Sequence, residues 1–174
     1  MNRLRQAYIW CRRICHSRGF GIQSPTDYYF VRYVINEHWP YHAYDLIPHE
    51  KDRVLQKQGR LYLRLANFRQ PSVIIDTVGV APYLNAGCRK AQVVTAPTDR
   101  PIEMAVAPID CDYQALFDLC DEQSVLVFHD ICHNHRLWRA ILKDKRAHIT
   151  FDLYYCGIVL FDTRRSHHHY NINF

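Results

Sequence analysis

No apolar run in this chain reaches the length a bilayer crossing requires, which excludes membrane insertion. No secretory signal opens the sequence. Its seven cysteines, Cys11, Cys15, Cys88, Cys111, Cys120, Cys132 and Cys156, are odd in number and lack the spacing of a disulfide framework. They read as reduced thiols of a cytoplasmic protein. Internal repeats, low-complexity tracts and linkers are also missing, so residues 1–174 are expected to close one domain around a single sheet. Charge is not strongly one-sided. The net value is +5, yet Arg3, Arg5, Arg12, Arg13 and Arg18 crowd the N-terminus while the middle of the chain is close to balanced. A basic arm of this kind is a solvated helix face more often than a nucleic-acid contact, so nucleic acid is not the expected partner. What the chain does have is apolar residues, 48% of the total, enough to exclude disorder.

Residues 1–70 read as a helical cap. From Met1 to Ser17, Leu4, Ala7, Tyr8, Cys11, Ile14 and Cys15 recur at spacings of three and four with arginines on the other face, the pattern of an amphipathic helix. Gly19 and Gly21 break it. Ser24 is a helix cap followed by Pro25 at the first helical position and Asp27 in the first turn, and Tyr29, Phe30, Tyr33 and Val34 supply the stripe to be buried. Pro40 ends that helix. Helical period returns from Val54 to Phe68 through Leu55, Leu61, Leu65 and Phe68. These helices are expected to form a lid and a wall for the sheet. The aromatic run Tyr28, Tyr29, Phe30, Tyr33, Trp39, Tyr41 and Tyr44 has helical spacing and reads mostly as core, with stacking on a planar substrate as the alternative.

Residues 71–174 read as a sheet region. Ser72 to Asp76 is a short β-branched run ending in an acid, followed by Thr77-Val78-Gly79, and a strand, an acid and a glycine turn begin a nucleotide-binding βα unit. Gln92 to Thr95 and Glu103 to Ala107 are further strands, and Tyr113 to Cys120 is a helix. Ser124 to Phe128, a helix over Leu137 to Lys145, and a hairpin of His148 to Leu153 with Gly157 to Phe161 complete the pattern. Tyr170 to Phe174 alternate like a strand, so His167, His168 and His169 belong to the fold rather than to a tag. Alternating strands and helices imply an α/β fold with a largely parallel sheet and an antiparallel edge.

Val125 to Phe128 and Ile131 frame an abrupt polar tip at His129 and Asp130, where an open α/β sheet places its ligand site. The tip continues as Cys132-His133-Asn134-His135. His129 and His133 lie four apart and Cys132 and His135 three apart, and imidazole and thiolate are ligands that zinc prefers. The competing account is a polar loop leading into a helix, with Asp130 as its cap. Cys132 beside His133 could be a nucleophile, but no orienting partner or oxyanion site accompanies it.

The segments RGFGIQSPTDYYFVRYVI, GRLYLRLANFRQPSVIID, SVLVFHDI and DLYYCGIVLFDTRRSHHHYNINF together resemble a bacterial family of class I S-adenosylmethionine-dependent methyltransferase-like proteins. The resemblance implies a seven-stranded doubly wound, Rossmann-like sheet with the cofactor, S-adenosylmethionine, at the carboxyl ends of the first strands and the substrate beyond the fourth and fifth, the methyl acceptor being a small-molecule or side-chain oxygen. Carried over to this sequence, Asp76 and Gly79 stand near the methyl donor, Asp110 is the nearest replacement for an acid that falls on Pro108, and Asp130 is the catalytic residue orienting the acceptor or a metal. The departures are specific. The turn after Asp76 has one glycine and includes Pro82, which has no backbone N–H, and the acid expected after the second strand is replaced by Thr95-Ala96-Pro97. Only 48 positions separate Asp76 from Ser124, too few for three βα units of roughly 25 to 30 residues, so one strand and helix are expected to be deleted. The expectation is a shortened member with weak or no methyltransferase activity. The alternatives are a non-enzymatic protein-binding or assembly module, including a homodimer that covers an exposed sheet edge, and a His/Cys metal-binding protein.

Overall fold

The computed structural model describes residues 3–16, 19–37, 39 and 41–174. Met1, Ser17, Arg18 and Pro40, assigned from the sequence to helix ends or to the basic arm, lie outside the described residues, as do the side chains of Arg3 and Arg5.

Helix α1 spans Arg3–Arg12, and its apolar stripe does not face the core. Tyr8, Trp10 and Ile14 are each about half exposed or more. What docks this segment is polar: Arg13 Nη2 donates to Asp152 Oδ1 at 2.7 Å, and Asn173 N donates to the His16 carbonyl at 3.0 Å. Helix α2, Pro25–Phe30, starts as its sequence dictates, with Ser24 Oγ accepting from Asp27 N. It then widens into a π-helical turn over Val31–Ile35. That widening shifts the helical phase, so Phe30, Val31, Val34 and Ile35 are buried while Tyr29 and Tyr33 face outward. Helix α3, Arg53–Arg69, is capped by Asp52 Oδ1 accepting from Val54 N at 2.7 Å, and buries Leu61, Tyr62 and Leu65. Leu55 and Phe68, at the ends of the expected stripe, are exposed.

The remaining elements alternate. They are β1 (Val73–Asp76), α4 (Ala81–Gly87), β2 (Gln92–Val94), β3 (Ile102–Pro108), α5 (Tyr113–Asp118), β4 (Cys120–His129), α6 (His135–Lys143), β5 (Ile149–Asp152), β6 (Cys156–Leu160) and β7 (His168–Asn171). The seven strands form one sheet in the order β2-β1-β3-β4-β6-β5-β7. All neighbours are parallel except those of β6, which is antiparallel to both β4 and β5. The antiparallel strand is therefore internal, not the edge expected from the sequence. The edges are β2 and β7, and β7 pairs with β5 from Ile149↔His168 to Asp152↔Asn171.

Both faces of the sheet are covered, which is why its strands are near-continuous apolar runs. Ile74, Met104, Val106, Val127, Phe151 and Ile158 point to one side, where α2, α3 and α4 pack. Ile75, Ala105, Leu126, Phe128 and Val159 point to the other, against Phe117 of α5 and Trp138 and Ile141 of α6. Gly157 on β6 lies directly beneath the Trp138 indole, where any β-carbon would overlap the ring. Helices α2 and α3 are thus part of one layer of a common core, and α1 lies outside it.

Candidate functional site

The chain leaves β1 for β2 on one side and returns to β3 on the other. In an open α/β sheet, the crevice outside the carboxyl ends of the strands at such a reversal is where ligands bind. Asp76 ends β1 there and is buried, with Oδ1 accepting from Val78 N at 3.0 Å and Gly79 N at 2.9 Å. The carboxylate braces its own turn. Gly79 has φ of 89°, a left-handed conformation that side chains resist, yet a β-carbon there would meet nothing within 4 Å. Backbone geometry, not crowding, requires the glycine, and the space above it is open. Thr77 N donates to the Val106 carbonyl at 3.1 Å and ties the turn to β3. Pro82 falls in the first turn of α4, where a missing N–H costs nothing, so the residue read as a distortion of the turn starts a helix.

The other expected positions are distributed around this crevice. Asp110, exposed beyond β3, accepts from Asn134 Nδ2 at 2.6 Å. Asn134 in turn caps α6, its Oδ1 accepting from Leu137 N at 3.0 Å. Asp130 is not the cap of that helix. It adopts φ of 57° and makes no capping bond, and its Oδ2 lies 3.5 Å from His129 Nε2 and 3.7 Å from His133 Nδ1. Thr95, just after β2, is exposed and brings no acid to the crevice.

A relationship absent from the sequence reading centres on His129. Its Nδ1 is 2.6 Å from the Tyr62 hydroxyl and 3.5 Å from Gln58 Nε2, both buried on α3. Burial drives the Tyr62 pKa well above the ordinary phenol value, with Cys156, Asp130 and Asp76 adding to the effect. The Tyr62 hydroxyl is thus neutral; Gln58 Nε2 beside Nδ1 can only donate and the Asp130 carboxylate beside Nε2 can only accept, an arrangement that favours Nδ1 as acceptor, Tyr62 as donor and the imidazole proton on Nε2. Burial also lowers the His129 pKa, an effect that Asp130 opposes and His133 reinforces. The result is a chain from Tyr62 through neutral His129 to the half-exposed Asp130 carboxylate, able to hold or pass a proton at the carboxyl end of β4. The signal for Tyr62 was available in outline: Gln58 and Tyr62 are polar and four apart on an otherwise apolar helix face.

Burial pushes the thiols the other way from reactivity: Cys111 rises to about 11 and Cys120 to about 12, and Cys156 is raised further. None of these three is a ready thiolate at neutral pH. Among the described residues, no three His, Cys, Asp or Glu side chains gather in a way that could hold a metal ion. No family model, curated protein or solved structure matches the chain.

Proposed function

We propose that this is a methyltransferase-like protein on a Rossmann-like sheet, shortened between β1 and β4, that binds its small-molecule ligand at the carboxyl ends of β1, β3 and β4. The observation that carries this reading is the β1 junction, where Asp76 and the left-handed Gly79 lie at the point of strand-order reversal with open space above the turn. Methyl transfer is weak or lost. It requires donor and acceptor to be held in line, and the end of β2 supplies Thr95, Ala96 and Pro97 where a diol-gripping acid would be needed. Where an acceptor is bound, Asp130 takes its proton, with His129 and Tyr62 fixing the geometry.

Calorimetric titration with S-adenosylmethionine and with its demethylated product tests this reading. Binding of either at micromolar strength, lost in a Gly79→Val variant, supports it. Absence of binding by both favours the second reading, a protein-binding or assembly module. One observation favours that module: Phe20 and Trp39, at 80% and 74% exposure, stand out from the helical layer together with Tyr29. A concentration-dependent mass in sedimentation equilibrium that is lost in a Phe20→Ser/Trp39→Ser variant would assign self-association to these residues.

A further inference from the structure

A cleft of about 640 Å³ opens between α1, the start of α3, the β5–β6 turn and residues 173–174, and neither Asp76, Gly79, Asp110, His129 nor Asp130 lines it. Its volume is that of a small-molecule site. Four cations line it, Arg13, Lys51, Arg53 and Lys57, against one acid, Asp52. Arg13 is already committed to Asp152, and the Asp52 carboxylate turns back to cap α3. Lys51, Arg53 and Lys57 form no ion pair with a carboxylate among the described residues. The rest of the wall is aromatic. Trp10 and Tyr154 line it, and Lys57 Nζ rests 4.5 Å from the centroid of the Phe174 ring. Unpaired cations in a partly enclosed cleft focus positive potential, and flat rings beside them favour a flat apolar body.

We propose that this cleft binds a small anion with a planar apolar body, its carboxylate or phosphate held by Lys51, Arg53 and Lys57 and its body lying against Trp10 and Tyr154. The inference goes beyond the reading of the β1/β3 crevice and stands or falls separately from it. Arg13 has a positioning part, because its bonds to Asp152 hold α1 in place as one wall of the cleft.

The full chain would be titrated with 1-naphthoate, 1-naphthyl phosphate and the uncharged 1-naphthylmethanol, following tryptophan fluorescence and assigning the change with a Trp10→Phe variant. The two anions are expected to bind about tenfold or more tighter than the alcohol, with affinity falling as salt rises. Whichever anion binds more tightly identifies the head group. A Lys51→Ala/Lys57→Ala variant should lose about tenfold for the anions and nothing for the alcohol. If that variant does not fold, the single Lys51→Glu change on this exposed residue gives the same comparison. Equal binding of charged and uncharged probes, or anion binding untouched by these changes, overturns the proposal. S-adenosylmethionine titrated into the same variants reports on the crevice independently.

Discussion

The Tyr62 hydroxyl lies 2.6 Å from His129 Nδ1, joining α3 to the carboxyl end of β4 across 67 residues of sequence. Removing that hydroxyl in Tyr62→Phe leaves the ring in place and the imidazole acceptor without its close donor. Stability should fall by about 1–2 kcal/mol in urea denaturation. The imidazole should also titrate at higher pH, because the lost bond favoured the neutral form. Nitrogen chemical shifts of the unmodified protein should show the proton on Nε2, and a dominant Nδ1–H form would refute the assignment.

Stability should depend on pH through His129. Burial lowers its pKa below the ordinary 6.5, so the unfolded chain binds more protons than the folded one as pH falls past that value. Its contribution is fully present above about 6.5 and is lost as pH drops through the lower folded-state value. The urea midpoint should be lower at pH 5.5 than at pH 7.5, with the difference reduced in His129→Gln. A difference unchanged by that substitution would contradict the burial of this ring.

Two glycines should respond to alanine for different reasons. Gly157→Ala forces a methyl group into the Trp138 indole and should cost about 1–3 kcal/mol by overpacking. Gly79→Ala meets no atom within 4 Å, so its cost, about 1–2 kcal/mol, comes from the left-handed backbone alone. The near-ultraviolet circular dichroism of Trp138 should change in the first variant and not in the second.

Asp27 is buried in the first turn of α2, paired with Arg165 and accepting from the Tyr170 hydroxyl at 2.9 Å. Asp27→Asn removes the charge that faces Arg165 and should cost about 3 kcal/mol. Combining it with Arg165→Met should restore part of the loss. A double variant no more stable than Asp27→Asn would show that the pair contributes little beyond packing.

The strands were legible because burial on both faces leaves apolar runs such as Val73 to Ile75 and Val125 to Val127 that no solvated loop would carry. The start of α2 was legible because Ser24, Pro25 and Asp27 each do local work in one turn. Helix α4 was missed: it is seven residues long, and its Pro82 reads as a breaker when the surrounding fold is unknown. The internal place of β6 depends on pairing with β4, which spacing does not encode. In the site, Asp76, Gly79 and Asp130 sit at strand ends that local pattern can find. Tyr62 could not be assigned to His129 in the same way, since their contact exists only once α3 lies across the sheet.

The attachment of the N-terminal segments to the last residues has a consequence for how the protein is made. Arg13 waits for Asp152, the His16 carbonyl for Asn173, and Asp27 for Arg165 and Tyr170. During synthesis, α2 is made long before its polar anchors, so Phe30, Val31, Val34 and Ile35, which the folded protein buries, are displayed on a nascent chain that cannot yet dock them. The interval between the making of α2 and its closing contacts is the time in which a chaperone that recognises apolar segments would act.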